Sequence, residues 1–182
     1  MKSVAIIAIG DELINGFTVD TNSHWLKQEL QKFDFSIEKS VNIPDSKNLI
    51  SKELENCLSQ DIDYVFISGG LGPTHDDITK NTLSEYFNLS LEINDEYLSF
   101  LNQKFKIFDK KEILREKLKV SMKTQAEILA GFTPIPNNIG TALGMTSQIG
   151  NTRLFVLPGV PAEYKDMIKT HIILNYFKLD SY

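Results

Sequence analysis

The stretch Ser68-Gly-Gly-Leu-Gly-Pro-Thr-His-Asp-Asp-Ile-Thr79 separates an apolar run at 64–67 from a segment with helical spacing. Its glycines and two adjacent carboxylates therefore lie where a strand gives way to a helix, at the carboxyl edge of a sheet. In open α/β sheets ligands collect at this edge, and loop amides before a helix favour phosphate. Because two carboxylates repel a phosphate, a divalent cation held by Asp76 and Asp77 together with phosphate oxygens resolves the conflict. The stretch therefore predicts half of a metal–phosphate site.

Apolar runs and helical patterns alternate on the amino-terminal side of this stretch. The expected elements are a strand at 4–9, a helix from Thr21 or Asn22 to about 33, a strand at 35–41, a helix opened by 44–46 and a strand at 64–68. The first run is rich in β-branched residues, which is typical of a strand buried on both faces. The order β-α-β-α-β predicts a largely parallel sheet covered by helices on both sides.

The carboxyl-terminal half continues the pattern and adds an antiparallel pair. Its expected elements are helices at 78–87 and 95–118, an extended segment at 132–138, a hairpin at 144–149 and 153–157, and a closing helix at 162–177. The fold class is thus α/β, a three-layer α/β/α sandwich whose mostly parallel sheet carries an antiparallel hairpin.

The composition bounds the class of protein. A chain of 182 residues can bury a core without disulfides, and we expect one domain over residues 1–182. A formal net charge of -5 argues against binding of polymer nucleic acid. Cys57 is the only cysteine, which excludes an internal disulfide and fits a reducing cytoplasm. Since no stretch resembles a membrane span or a signal peptide, we expect a soluble cytoplasmic protein.

A second acidic loop, Gly10-Asp-Glu-Leu-Ile-Asn-Gly16, directly follows the first strand. The ends of parallel strands meet at one edge, so Asp11 and Glu12 are expected to approach Asp76 and Asp77. Four crowded carboxylates indicate a metal or raised pKa values. A purely structural role also stays open for two residues, because Asp11 can be a turn residue and Asn22 can cap a helix.

Two later loops are candidates for the same edge. The segment 137–144 contains Gly140 and Thr141 and has the composition of a polar pocket or of a long surface loop. The segment 157–161 follows a strand, and Gly159 there can present backbone amides or make a rigid turn. Lys80, one turn into a helix, can counter a phosphate, although exposed helical lysines are ordinary.

Taken in order, these four segments closely resemble the N-terminal domain of the competence-damage-inducible CinA proteins, within the molybdopterin-binding family that includes MogA, MoaB and part of MoeA. The matching pieces are Gly10-Asp-Glu-Leu with Asp20-Thr-Asn and Trp25-Leu26, Gly69-Gly-Leu-Gly-Pro-Thr with Asp76-Asp-Ile-Thr79, Gly140-Thr-Ala, and Leu157-Pro-Gly-Val-Pro161. The resemblance implies a MogA/MoaB-like sandwich in which these loops line one pocket.

The resemblance also implies chemistry. In the molybdopterin relatives the aspartate matching Asp77 lies where a pterin is adenylylated with MgATP. CinA-like domains are associated with metal-dependent hydrolysis of ADP-ribose to AMP and ribose 5-phosphate. Both reactions cleave a phosphoanhydride on the adenylate side, in agreement with a cation beside a phosphate cradle.

Three departures from the family accompany the match. His75 stands where the family often has proline, and Thr124 stands where it has a lysine that contacts phosphate. CinA proteins commonly carry a second, amidase domain, and we expect none here. A nucleotide-binding module without turnover is therefore a third hypothesis, beside the hydrolase and the pterin enzyme.

The sequence thus leads to a metal-dependent pyrophosphatase acting on ADP-ribose, with molybdopterin binding or adenylylation as the alternative. Asp77 and Asp76 are the expected catalytic residues, and Asp76, Asp77, Asp11 and Glu12 are the expected ligands of Mg²⁺, Mn²⁺ or Co²⁺. We expect a homodimer or trimer. The expected substrate-binding residues are Gly69, Gly70, Gly72, Thr74, Lys80, Asp20, Asn22, Gly140, Thr141 and Gly159.

Overall fold

A computed structural model describes residues 1–74, 77–106 and 112–177. Within them a six-stranded sheet has the order β2-β1-β3-β8-β7-β6. Its strands are β1 (Lys2–Ile9), β2 (Phe35–Ile43), β3 (Tyr64–Ser68), β6 (Thr133–Ile135), β7 (Gly144–Ile149) and β8 (Thr152–Leu157). The helices of the first half are α1 (Asp11–Ile14), α2 (Thr21–Leu30), α3 (Lys47–Ser59) and α4 (Thr79–Phe87).

The first four strands of this order run parallel, and β7 runs antiparallel to both β8 and β6. Strands β1, β2, β3, β6 and β8 therefore end at one edge, where β7 begins. The loops after β1, β3 and β8 and the loop between β6 and β7 all lie at this edge. The predicted convergence of the four segments follows from this topology.

Alternate residues of the central strands enter two separate cores. Ile7, Ile67 and Val156 pack on one face beneath α3 and α4, with Leu54 and Leu83 among their neighbours. The opposite face packs against α2 and the closing helix, and its buried residues include Val4, Ile6, Phe66, Phe155, Leu26, Tyr164 and Ile168. The period of two along each strand thus produces the predicted three-layer sandwich.

The single helix predicted at 95–118 is wrong. Helix α5 (Asp95–Lys104) ends before Phe105, and Lys106 adopts a left-handed φ of 47°. A separate helix, α6 (Glu112–Gln125), follows and runs beyond the predicted end. Amphipathic spacing continues on both sides of the break, so the periodicity does not reveal it. Two short strands absent from the prediction, β4 (Leu91–Ile93) and β5 (Glu127–Leu129), form a small antiparallel sheet beside these helices.

On the opposite face of the sheet, α2 and the closing helix differ in detail from the prediction. Neither Thr21 nor Asn22 caps α2, because Asp20 does, accepting a hydrogen bond from the Ser23 amide at 2.9 Å. The closing helix consists of α7 (Pro161–Met167), a π-helical turn (Ile168–Ile172) and α8 (Ile173–Tyr176). Among the described residues, none of the helices has the length and apolar character needed to cross a membrane.

Candidate functional site

A cleft of about 560 Å³ opens at the sheet edge where β1, β3 and β8 end. Its walls are formed by the turn after β1, the glycine-rich loop after β3, the loop before β7 and the turn into α7. The loop after β2 and the end of α6 add one residue each, Asp45 and Gln125. Its lining residues include Gly10, Glu12, Asp45, Gly69, Gly70, Gly72, Asp77, Gln125, Thr141, Gly159 and Glu163. The size lies in the range typical of small-molecule sites, which is roughly 300–1,000 Å³.

The glycine-rich loop passes between its neighbouring strand ends at very close range. The Gly69 amide donates to the Leu157 carbonyl at 3.1 Å, and a Cβ on Gly69 would lie 2.1 Å from the Ile9 carbonyl oxygen. Gly69 and Gly70 also have positive φ values of 103° and 64°. These positions need glycine for space and for backbone conformation. The loop is thereby fixed against both neighbouring strands.

Asp77 closes this loop with its side chain. One carboxylate oxygen accepts from the Gly72 amide at 2.7 Å, and the other accepts from the Thr74 amide at 2.8 Å and from the Thr74 hydroxyl at 2.5 Å. A carboxylate has about four acceptor positions, so three of them are used within the loop. Asp77 lines the cleft and holds the shape of the loop at the same time. Asp76 and His75 lie outside the described residues.

Lys80 does not line the cleft. Its buried ammonium donates to the backbone carbonyl of Thr124 and lies 3.9 Å from the Glu127 carboxylate. Burial lowers the pKa of Lys80, and the charges of Glu127 and Asp77 oppose that shift. The structure thus gives Lys80 a role in joining α4 to the end of α6. Because the partner is a backbone carbonyl, the threonine side chain at position 124 does not alter this contact.

An acidic wall faces the glycine-rich loop. Glu12 and Asp45 line the cleft. The Asp11 amide donates to the Asp45 carboxylate at 3.1 Å, and the Asp45 amide donates to the Asp11 carboxylate at 3.2 Å. Burial, followed by the charges of Asp11, Glu12 and Asp77, raises the pKa of Asp45. Asp11 is thus the first residue of α1 and is not among the cleft-lining residues, and Asp45 is a cleft carboxylate that the sequence interpretation missed.

These carboxylates fit a cation that is shared with a bound phosphate. Within residues 1–74, 77–106 and 112–177, no three His, Cys, Asp or Glu side chains lie close enough to hold a metal ion by themselves. Mg²⁺ is usually held by one or two carboxylates plus substrate oxygens, which Glu12 and Asp45 can provide. Burial is the largest cause of the raised pKa of Asp45, and the charges of Asp11, Glu12 and Asp77 add to it. A cation would relieve only the part that comes from these charges.

Three glycines make room for three carboxylates around the cleft. A Cβ on Gly10 would lie 2.5 Å from the Glu12 carboxylate, one on Gly72 would lie 2.4 Å from that of Asp77, and one on Gly140 would come within 2.2 Å of both Glu163 oxygens. Each carboxylate therefore lies over a glycine of its own or a neighbouring loop. A side chain at any of these glycines would displace the neighbouring carboxylate.

Asp20 and Asn22 line a side pocket of about 80 Å³ that shares Glu12 and Gly159 with the main cleft. The Asn22 amide donates to the Gly159 carbonyl at 2.8 Å. Asn22 therefore ties the start of α2 to the turn before α7. Gly159 itself packs against the glycine-rich loop, since its Cβ position is 3.3 Å from the Gly69 Cα.

Gln125 links the loop before β7 to the glycine-rich loop. This residue is 2% exposed, its amide nitrogen donates to the Leu71 carbonyl at 3.1 Å, and its amide oxygen accepts from the Thr141 hydroxyl at 2.9 Å. Its backbone carbonyl also accepts from the Leu143 amide at 2.9 Å. Two walls of the cleft are thus held together by one buried side chain at the end of α6.

Helix α5 holds the same loop from behind. The Lys104 ammonium donates to the carbonyls of Asn138, Ile139 and Gly140, at 2.7, 3.0 and 3.0 Å. The Tyr97 hydroxyl is 3.2 Å from the carbonyls of Asn137 and of Thr141. The loop carrying Gly140 and Thr141 is therefore an ordered wall of the cleft, which decides between the two interpretations of this segment.

Three cleft residues, Asp45, Gln125 and Glu163, were absent from the predicted site. Asp45 follows β2, which ends at the same edge as β1, so the topology alone could have indicated it. Glu163 lies in the first turn of α7, directly after the predicted Gly159 segment. Gln125 belongs to a helix whose end was predicted seven residues too early, at 118. Its position depends on the break after Lys104, which carries no local signal.

The fold and the cleft define a three-layer α/β/α domain with a ligand-sized cleft at the strand ends. Residues 5–176 match the family model of the probable molybdopterin binding domain, and the chain belongs to this family. A CinA-like protein of Flavobacterium psychrophilum is 39% identical over 168 residues, covering 92% of this chain and 39% of the relative. The chain thus spans about two fifths of that relative's length. The resemblance to CinA proteins is confirmed.

Solved structures agree with this assignment. The CinA protein of Thermoplasma acidophilum, of unknown function, superposes with a TM-score of 0.81 at 27% identity, over 97% of this chain and 98% of that one. The molybdopterin biosynthesis enzyme MoaB of Thermus thermophilus gives a TM-score of 0.62 at 18% identity, over 96% and 92% of the two chains. At that identity the MoaB likeness concerns the fold alone.

Proposed function

We propose that the cleft binds a nucleoside diphosphate sugar, ADP-ribose first, and hydrolyses its diphosphate bridge to give AMP and ribose 5-phosphate. The observation that carries this proposal is the pairing, in one cleft, of a rigid glycine-rich loop with the carboxylates Glu12 and Asp45. A backbone cradle suits phosphate oxygens, and carboxylates suit the cation that accompanies them. Neither the glycine-rich loop without the carboxylates nor the carboxylates without the loop would favour a diphosphate.

The cradle consists of backbone rather than of side-chain cations. In the part of the chain that the structure describes, the amides of Gly70 and Leu71 have no hydrogen-bond acceptor, and both residues line the cleft. The Gly69, Gly72 and Thr74 amides are used within the protein. The diphosphate would therefore be bound chiefly by Gly70 and Leu71, with Gly69, Gly72 and Thr74 shaping the loop around it.

A divalent cation, Mg²⁺, Mn²⁺ or Co²⁺, would be held by Glu12 and Asp45, and Asp77 lines the same cleft. The predicted ligand Asp76 lies outside the described residues. Such a cation neutralises phosphate charge and activates water for hydrolysis. Asp77 lines this cleft and holds the glycine-rich loop through its three hydrogen bonds. We further expect the protein to act in the cytoplasm as a homodimer or trimer.

The family's name, probable molybdopterin binding domain, supports molybdopterin binding as the alternative, and adenylylation of the pterin would be the corresponding reaction. This reaction would use the same cradle and cation but would transfer AMP from ATP to a pterin instead of releasing it to water. A binding module without turnover is the remaining possibility. All three proposals require a nucleotide or pterin in the cleft, and they differ in the products formed.

Product analysis separates these proposals. The protein is incubated with ADP-ribose, other dinucleotides, and ATP plus molybdopterin, each with Mg²⁺, Mn²⁺ or Co²⁺ and each with a chelator. We expect equal amounts of AMP and ribose 5-phosphate from ADP-ribose, and none with the chelator. Transfer of AMP to the pterin would favour the alternative. Binding by calorimetry without any product would favour the module and contradict the hydrolase.

A further inference from the structure

Glu163 presents a fixed carboxylate to the cleft. One oxygen accepts from the Asn137 side-chain amide at 2.6 Å, and the whole carboxylate lies over Gly140. No hydrogen bond to another described residue is formed by the second oxygen. In the described residues, no Lys, Arg or His nitrogen lies within 4.0 Å of this carboxylate. The charge thus faces the cleft without a partner cation from those residues.

Asn137 holds this carboxylate in one orientation. Its side chain is fully buried, its amide nitrogen also donates to the Ala142 carbonyl at 3.1 Å, and its amide oxygen accepts from the Ile139 and Gly140 amides at 3.2 and 2.8 Å. These three contacts fix the amide group independently of Glu163. The second N–H of the Asn137 amide therefore donates to the Glu163 carboxylate, which is held in position before any ligand binds.

Glu163 lies apart from the carboxylates that would hold a cation. Its carboxylate contacts Asn137 and lies over Gly140, whereas the acidic side chains whose charges act on Asp45 are Asp11, Glu12 and Asp77. An unneutralised carboxylate also repels the phosphate groups of a ligand. The part of a nucleotide sugar that suits this wall is a neutral group with hydrogen-bond donors.

We infer that Glu163 accepts hydrogen bonds from the vicinal hydroxyls of a ribose and so makes the cleft selective for ribose over deoxyribose. The free oxygen and the spare lone pair of the Asn137-bound oxygen provide two acceptors on one side of the carboxylate. This inference rests on the proposed function for the ligand class. Both riboses of ADP-ribose carry such a diol, and the experiment distinguishes them.

Ligand pairs test the inference on the unmodified protein. Calorimetry compares AMP with its 2′-deoxy and 3′-deoxy forms, and ribose 5-phosphate with 2-deoxyribose 5-phosphate, in the presence of Mg²⁺. We expect about a tenfold to hundredfold weaker binding of the deoxy compound in one pair, as for loss of a hydrogen bond to a charged group. The pair that discriminates identifies the ribose. Equal affinities in both pairs would overturn the inference, as would failure of every compound to bind.

The variant Glu163→Gln tests the residue, with Glu116→Gln on the exposed face of α6 as its matched control. We expect Glu163→Gln to reduce the preference for ribose over deoxyribose compounds to less than about threefold. It should raise the KM for ADP-ribose more than it lowers kcat. The control keeps the preference of the wild type. A variant that retains the preference, or that loses turnover with unchanged binding, would overturn the assignment.

The two proposals fail in different ways. If the protein prefers ribose compounds but releases no AMP from ADP-ribose, the hydrolase is contradicted and the role of Glu163 stands. If ADP-ribose is hydrolysed while the deoxy compounds bind equally well, the role of Glu163 is contradicted and the hydrolase stands. A circular dichroism melt of each variant accompanies the binding data, and the ligand pairs on the wild type give the answer even where a variant does not fold.

Discussion

The Asp77 carboxylate accepts a hydrogen bond at 2.7 Å from the amide of Gly72, five positions earlier in the chain. The same side chain accepts two further bonds from Thr74. Asp77, which the sequence predicts to be catalytic, therefore also holds the shape of the glycine-rich loop. Turnover and loop structure should consequently fail together when Asp77 is changed.

Two substitutions of Asp77 remove its hydrogen bonds to the loop to different extents. Asp77→Asn keeps one acceptor oxygen for the loop, whereas Asp77→Ala removes all three hydrogen bonds. We expect a loss of unfolding free energy of about 1 kcal/mol for asparagine and about 2–3 kcal/mol for alanine. Turnover of ADP-ribose should fall by more than about tenfold in both. Denaturant melts and AMP release measure the two effects, and full metal-dependent turnover by Asp77→Ala would contradict the assignment.

Alanine at Gly69 should be far more costly than alanine at Gly150. Both glycines have positive φ, at 103° and 56°, but only at Gly69 would a Cβ meet another backbone, 2.1 Å from the Ile9 carbonyl oxygen. We expect a cost of about 1 kcal/mol at Gly150 from conformation alone, and more than about 3 kcal/mol at Gly69. Urea denaturation checks the difference. Equal costs would show that the strand ends can separate, and that the cradle is not rigid.

The buried Gln125 should couple two walls of the cleft. Gln125→Leu leaves the Leu71 carbonyl and the Thr141 hydroxyl without their partner, which we expect to cost about 2 kcal/mol of unfolding free energy. Thr141→Val removes only one of these bonds and is the control. In a double-mutant cycle the two changes should be non-additive by at least about 0.5 kcal/mol. Additive effects would mean that the walls are independent.

Asp63 should make stability depend on acid pH. Burial by itself raises the pKa of Asp63. Hydrogen bonds from Lys2 and Ser3 outweigh burial and lower this pKa below its ordinary value of 3.8. A lowered pKa in the folded state contributes stability that is present above pH 3.8 and is lost as the pH falls through the folded pKa.

The matching experiment compares the wild type with Asp63→Asn in melts between about pH 7 and about pH 2. We expect the variant to be less stable at neutral pH and the two curves to converge in acid. Lys2→Met, which removes one partner of Asp63, serves as an intermediate control. A constant difference across the whole pH range would contradict the assigned cause.

Most of the central sheet could be predicted because its signals are local. The run 4–9 and the run 64–68 are buried on both faces, and each ends in a glycine-containing loop. The parallel order of the strands then brings Glu12 and Asp77 to one cleft without any knowledge of side-chain packing. The sequence pattern also indicated the hairpin, whose strand β8 pairs with β3 while β7 pairs with β8.

The rest depended on contacts that are distant in sequence. The break after Lys104 follows from packing of α5 against the loop before β7, since Lys104 reaches the carbonyls of residues 138–140. The strands β4 and β5 have three residues each, too few to show a period. Lys80 looked like an exposed phosphate ligand because its true partner, the Thr124 carbonyl, is 44 residues away.

The most direct test of the account is turnover of ADP-ribose in water labelled with heavy oxygen, with Mg²⁺, Mn²⁺ or Co²⁺ and with a chelator, followed by mass spectrometry of both products. We expect cation-dependent release of AMP and ribose 5-phosphate in equal amounts, with one labelled oxygen in the phosphate of one of them. Unchanged ADP-ribose under every metal, or products formed equally well with the chelator, would contradict the metal-dependent hydrolase.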